Sequence, residues 1–234
     1  GYTGMFLKRF FRSVSPVITN EVLWAIGVTG YTYFYGKLGT DAVATVQIME
    51  VINGIFFSLF AGMGNACGAI IGNMIGAGED ETAKVYAKRS VVAGMGLAVV
   101  TGILMIGITP LFLSFFNISS ETLRDCRIAV IVYAAYLIFK VTNAIMVVGV
   151  CRGGGDTVFA MLIDVLSPWL VGLPMAYLGA EVLILPVYAV MAMVNLEEVV
   201  KSIFGIIRLF SDKWLHNLVR DLPQEDVSGD AEPA

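Results

Sequence analysis

Charge is scarce in this sequence. Only 15% of its 234 residues are Asp, Glu, Lys or Arg, where a soluble domain carries about 25%. The 15 Lys and Arg are outnumbered by 19 Asp and Glu, for a net charge of -4. No basic surface is available to hold a phosphate backbone, and nucleic-acid binding is excluded. Cysteine and histidine are nearly missing as well. Cys67, Cys126 and Cys151 form no CxxC pair, and His216 is the one histidine. A disulfide scaffold, a zinc cluster and haem attachment are excluded. An intramembrane enzyme would need a nucleophile with a base or metal ligands at membrane depth, and His216 lies near the C-terminus, so no enzymatic activity and no cofactor are expected. Period-two alternation is also missing, which excludes an outer-membrane barrel.

What the sequence has instead is apolar length. Hydrophobic residues make up 57% and mean hydropathy is +0.80, spread through the chain rather than gathered in a signal peptide or a single anchor. A helix needs about 20 mostly apolar residues to cross the hydrocarbon core. Six runs qualify, roughly Val17 to Tyr35, Val43 to Ile75, Val91 to Phe116, Ile128 to Val150, Val158 to Leu178 and Leu183 to Leu209. The short turns between them are rich in Gly and acidic residues. The expectation is an all-α, polytopic bundle of six transmembrane helices over residues 14–210, preceded by an interfacial linker at 1–13. An interfacial segment at 211–220, carrying Trp214 and Leu215, and a disordered acidic tail at 221–234 should follow it. The start at Gly1 suggests a fragment or a processed product.

Orientation follows from the Lys and Arg, which accumulate on the cytoplasmic side. Lys8, Arg9, Arg12, Lys84, Lys88, Arg89, Arg152, Arg208, Lys213 and Arg220 fall on one side, and only Lys37, Arg124 and Arg127 on the other. Both termini are therefore expected in the cytoplasm, in a plasma (inner) membrane. Tyr31, Tyr33, Tyr35, Phe112, Phe115 and Phe116 are expected at the external interface, where amphipathic rings belong.

Small residues carry a packing signal. Gly64, Gly68, Gly72 and Gly76 recur every four residues in the second run, as do Gly94, Ala98 and Gly102 in the third. Such a stripe lets helix backbones approach in lipid, as a static contact or as a sliding one. Two turns share a Gly-x-Gly-acid pattern 77 residues apart, Gly76 to Glu79 and Gly153 to Asp156. Neither has the strand and Gly-Lys-Ser/Thr of a phosphate loop. Glycine release of one helix and acidic capping of the next is the better reading, and a duplicated three-helix unit is possible.

Ionisable residues inside spans are costly and mark function unless paired. Glu21, Glu50, Asp164, Glu197 and Glu198 stand against Lys140 and Lys201. The acidic excess suggests sites for protons, inorganic cations or a cationic solute. Glu50 lies near the outer start of its helix and reaches external water. Glu197 and Lys201 are four apart, in the order that favours an intrahelical pair. Lys140 is expected to neutralise Asp164 or a neighbouring Glu, or else to touch substrate. Glu21 has no Lys or Arg within four residues and follows Pro16, where the helix can bend, which makes it the strongest coupling candidate. Tyr136, Lys140 and Asn143 share a helix face, and aromatic rings there suit an organic cation.

A family resemblance rests on Ser15-Pro16-Val17-Ile18-Thr19-Asn20-Glu21, on Tyr35-Gly36-Lys37-Leu38-Gly39-Thr40-Asp41-Ala42-Val43-Ala44, on Gly62-Met63-Gly64-Asn65-Ala66 through Gly72-Asn73-Met74-Ile75-Gly76-Ala77-Gly78-Glu79, on Arg152-Gly153-Gly154-Gly155-Asp156-Thr157 and on Lys213-Trp214-Leu215-His216-Asn217. In order and position these resemble the multidrug and toxic compound extrusion (MATE) transporters, bacterial branch, of the multidrug, oligosaccharidyl-lipid and polysaccharide exporter superfamily. The resemblance covers about residues 8 to 220. Members have twelve spans in two six-helix lobes, and this chain resembles the C-terminal lobe.

The resemblance implies a central cavity shared with an N-terminal six-helix lobe, on the same chain or a second copy, and a proton or sodium flow that drives export of small organic cations. It implies a coupling role for Glu21. Sodium-type members also use an acid on the tenth helix. The fourth run here has Tyr133, Tyr136, Lys140 and Asn143 and no carboxylate after Asp125, which argues against a sodium site in this lobe. The expected function is a cation-coupled antiporter for multidrug efflux, with Glu21, Asp164, Glu198, Glu197, Lys140, Tyr136 and Asn143 binding cation or substrate. The alternatives are a flippase or exporter of a lipid-linked or anionic precursor, which should need a basic cavity, and a half-length lobe that homodimerises.

Overall fold

The computed structural model of the protein describes residues 4–216, with side chains from Ile18 onward. The expected tail at 221–234 and the side chains of the expected linker at 1–13 lie outside the described residues. Helices α1 (Gly4–Lys37), α2 (Thr40–Gly76), α3 (Asp80–Leu113), α4 (Ser120–Arg152) and α5 (Thr157–Val182) are followed by a sixth rod. That rod divides at Asn195 into α6 (Val187–Val194) and α7 (Leu196–Phe210). All six apolar runs are therefore helical, and among the described residues no strand forms beyond one isolated bridge. Helices α2, α3, α4 and α5 are each long and apolar enough to cross a membrane.

The rods are not uniformly wound. The last eight residues of α4, Ile145–Arg152, form wider π-type turns, as do Pro168–Gly172 and Leu178–Val182 in α5. Pro168 and Pro174 lack the N–H of a regular helical bond, and the π turns fall beside them. This is how α5 continues through two prolines without ending.

The two Gly-x-Gly-acid turns are the same structure. After α2, Glu79 N–H donates to Met74 O at 2.9 Å and Gly78 N–H to Ile75 O at 3.0 Å. After α4, Asp156 N–H donates to Cys151 O at 2.8 Å and Gly155 N–H to Arg152 O at 3.3 Å. Both are Schellman closures with glycine at positive φ, +81° at Gly78 and +87° at Gly155, a conformation that needs no Cβ. The expected acidic capping is not seen. Glu79 and Asp156 hold the N-cap positions without side-chain cap bonds, and Asp156 accepts from Arg208 Nε at 2.6 Å instead.

Close approach of α2 and α4 follows the glycine stripe. A Cβ on Gly64 would lie 3.0 Å from the Ala144 carbonyl oxygen, and one on Gly68 3.0 Å from that of Val148. Gly76 faces open space, so the stripe works over three of its four members. The buried interior has two parts. Tyr31, Tyr35, Met49, Ile52, Met105 and Tyr133 pack toward the end holding the α1–α2 and α3–α4 turns. Phe60, Ile71, Leu137, Ile145, Val150 and Trp214 pack toward the opposite end. Val92, Val99, Ile103 and Leu111 line the outside of α3 and are exposed, as suits a surface whose solvent is lipid.

Two expectations about aromatics change. Tyr33, Phe115 and Phe116 are exposed, whereas Tyr31 and Tyr35 are buried, because both pack in the interior rather than at an interface. Trp214 does not lie on an interfacial helix either. Residues 211–214 form turns, Trp214 is fully buried, and its indole N–H donates to Leu209 O at 3.2 Å. The ring covers Gly154, where any Cβ would collide with it. His216 N–H closes onto Gly154 O at 2.8 Å. An apolar tryptophan had the choice of membrane surface or protein interior, and the glycine turn supplied a hole for it.

Candidate functional site

A cavity of about 470 Å³ opens between α1, α2, α4, α5 and α7, lined in part by Glu21, Lys140, Asn143, Arg152, Asp164, Glu198 and Lys201. Five of the seven residues expected at the site thus line one space. The long-range placement is the work of the packing just described. The stripe on α2 draws α4 in, and α4 turns Lys140, Asn143 and Arg152 to the cavity along one face.

The charges are chained together. Arg152 Nη2 lies 3.5 Å from Glu21 Oε1 and 3.7 Å from Asp164 Oδ2, and Lys201 Nζ lies 3.6 Å from Asp164 Oδ1. Asn20 Nδ2 donates to Glu21 at 3.4 Å. Glu21 therefore is not the unpaired acid that its local sequence suggests, since its partner arrives from 131 residues away. It remains the most accessible member, 55% exposed, against 22% for Asp164 and 6% for the Lys201 side chain.

Glu197 and Glu198 diverge, as neighbours on a helix must. Glu198 faces the cavity and accepts from Asn143 Nδ2 at 2.7 Å, while the same amide also donates to the Glu198 carbonyl at 2.9 Å. The Ser202 hydroxyl donates to Asn143 Oδ1 at 3.1 Å and fixes that amide. Glu197 is buried behind the cavity wall and accepts from the Tyr31 hydroxyl at 2.5 Å. The expected Glu197–Lys201 ion pair is not the one formed, because the Lys201 ammonium turns to Asp164. Lys140 likewise forms no ion pair within 4.0 Å among the described residues, and stands 4.8 Å from the Tyr133 ring centroid. Tyr136 does not line the cavity. It is half-buried, its ring 6.2 Å from that of Phe139. Glu50, expected to reach water, is exposed.

The lining also holds residues that sequence reasoning did not mark, among them Trp24, Asn53, Phe57, Ala61, Asn65 and Arg152. Asn53, Phe57 and Asn65 fall with Ala61 at a spacing of four along α2, and that spacing was the available signal. Arg152 enters the sequence reading through its side of the membrane and its Gly-rich turn, yet its side chain joins α1 to α5. With it the lining carries Glu21, Asp164 and Glu198 against Lys140, Arg152 and Lys201, so the acidic excess of the spans is not an excess in the cavity. Among the described residues no group of three or more His, Cys, Asp or Glu is placed to hold a metal ion.

The sequence model of the MatE family matches residues 16–178. The chain is similar to the multidrug resistance protein MdtK of Edwardsiella ictaluri, at 29% identity over 145 residues, which are 61% of this chain and 31% of that protein. It is similar to the probable multidrug resistance protein NorM of Brucella suis, at 30% identity over 185 residues, 71% of this chain and 39% of that one. In structure it resembles an outward-facing multidrug resistance MATE family transporter of the MOP superfamily, with a TM-score of 0.77 at 24% identity, over 90% of this chain and 47% of that one. The chain thus spans less than half the length of the relatives it matches, and its fold is that of one lobe.

Proposed function

The chain belongs to the MatE family, and we propose that it is the C-terminal six-helix lobe of a cation-coupled antiporter that exports small, often cationic amphipathic compounds. The observation that carries the reading is the cavity, with Glu21, Asp164 and Glu198 on the wall beside Trp24 and Phe57. Carboxylates and ring faces at membrane depth suit an amphipathic cation. The missing wall is a second six-helix lobe, on the same polypeptide or on another copy. The lobe is read as multi-pass in the inner membrane, with both ends on the cytoplasmic side.

Coupling is assigned to Glu21. A proton or sodium ion on this carboxylate competes with Arg152 for it. Once Glu21 is neutralised, Arg152 is left to Asp164 alone, and the tie from α1 to α4 and α5 loosens. Binding of the ion thereby favours one arrangement of α1 against the rest of the lobe, the requirement for an ion to shift a conformational equilibrium. Glu197, Glu198, Asp164, Lys140 and Asn143 shape the field around it. Tyr136 stands outside the cavity and supports the wall.

The test is export of a cationic dye from vesicles containing the native-length protein, with proton and sodium gradients imposed separately. Movement under either gradient supports antiport and names the ion. A second reading, export of an anionic or lipid-linked precursor, is favoured by the equal number of basic and acidic side chains in the lining. It predicts no dye movement under either gradient.

A further inference from the structure

We propose that the lobe carries a phospholipid site on its outer face, a groove between α5 and α7 that takes one acyl chain while Arg208 holds the phosphate of an anionic headgroup. The groove measures about 330 Å³ and is lined in part by Phe159, Leu162, Leu166 and Leu170 of α5 and by Val200 and Phe204 of α7. Among the described residues Ser167 is its one polar side chain, and that hydroxyl already donates to Ile163 O at 2.7 Å. Nothing in the groove itself asks for a polar ligand. Leu162 and Leu166 each lie two residues from Asp164, which at about 100° per residue puts them across α5 from the charged cavity. Leu162, Leu166, Leu170 and Phe204 are all exposed, on a helix pair whose surroundings are lipid.

Arg208 supplies the charge. Val200, Phe204 and Arg208 recur every four residues on α7 and so share one stripe. The Arg208 guanidinium stands over the Phe159 ring at the end of the groove, 4.9 Å from its centroid. Its Nε donates to the buried Asp156 at 2.6 Å. A guanidinium has five N–H donors in a planar fork, and among the described residues the four on its terminal nitrogens make no hydrogen bond. A second cation stands at the same end of α7, where Lys88 Nζ lies 5.5 Å from the Phe210 ring centroid. Length fits as well as charge. From Phe159 to Leu170 the helix rises about 16 Å at about 1.5 Å per residue, close to half of the roughly 30 Å hydrocarbon core. An apolar groove one leaflet long, ending at a guanidinium with unused donors, matches a ligand built of an acyl chain and a phosphate.

The experiment titrates the native-length protein in detergent with dioleoylphosphatidylglycerol or with dioleoylphosphatidylcholine, whose choline offsets the phosphate charge, and counts bound lipid by native mass spectrometry. The wild type is expected to retain one phosphatidylglycerol about tenfold more tightly than phosphatidylcholine, the scale of one hydrogen bond to a charged group. Arg208→Gln should remove that preference. Leu166→Trp fills the groove while leaving the Arg208–Asp156 pair in place, and should weaken both lipids. Val99→Trp, on the exposed outside of α3, should change neither. Glycerol 3-phosphate should fail to displace phosphatidylglycerol, since it has no chain for the groove. Equal affinity for the two lipids in the wild type, a preference unchanged in Arg208→Gln, wild-type retention in Leu166→Trp, or displacement by glycerol 3-phosphate overturns the site. A groove covered by the second lobe would retain no such lipid, which overturns it equally. Each outcome is independent of what the lobe exports.

Discussion

Tyr31 and Glu197 are 166 residues apart in the chain and share a buried hydrogen bond of 2.5 Å, hydroxyl to carboxylate. The bond joins α1 to the start of α7, and Gly172 in a π turn of α5 leaves the room for it, since a Cβ there would overlap the Tyr31 hydroxyl. Three helices meet at one polar contact.

Removing the donor leaves a buried carboxylate short of a partner, which costs about 1–3 kcal/mol. Tyr31→Phe is expected to lower thermal stability in detergent by that amount, and Gly172→Ala to lower it further by driving the ring away. A Tyr31→Phe protein as stable as the wild type would mean that Glu197 finds another partner.

Gly68 tests the contact between α2 and α4. Gly68→Leu forces a side chain against the Val148 carbonyl, 3.0 Å from the Cβ position, and should cost more than about 3 kcal/mol, beyond the usual range of point changes. Gly96, with nothing within 4 Å of its Cβ position, is the control. Gly96→Ala should be neutral or stabilising by up to about 1 kcal/mol, from helix propensity alone. Equal effects at the two sites would remove close backbone packing as the explanation.

Glu21→Gln keeps the shape of the side chain and removes its charge. Ion-driven dye export by the native-length protein should be abolished while expression and detergent stability stay near wild type, because the carboxylate is 55% exposed and its pair with Arg152 is long. Wild-type efflux from this variant would take Glu21 out of the coupling scheme.

Trp214 separates a buried plug from a membrane anchor. Trp214→Ala should destabilise the lobe by about 3–5 kcal/mol, as for a large core side chain, and should expose the Gly153–Asp156 turn to proteolysis. A loss below about 1 kcal/mol would fit the interfacial position expected from sequence.

The sequence by itself determined the six helical rods, their apolar character, the two glycine closures and the small-residue stripe. Each follows from residues close together in the chain, where 20 apolar positions, a glycine that accepts positive φ, or a repeat of four leaves one physical solution. It also marked as candidates Glu21, Lys140, Asp164 and Glu198, as charges inside spans, and Asn143, on the face of Lys140, and these five line one cavity. Pairing was not legible. Glu197 and Lys201 are spaced for each other on one helix, yet Glu197 took Tyr31 and Lys201 took Asp164, and the partner of Glu21 proved to be Arg152. Trp214 likewise went to the interior. Only the tertiary structure decided these, because a charge in a low-dielectric setting goes to whichever partner the packing of other helices brings within reach. Local spacing fixes which residues share a face, and the neighbouring helices fix what that face meets.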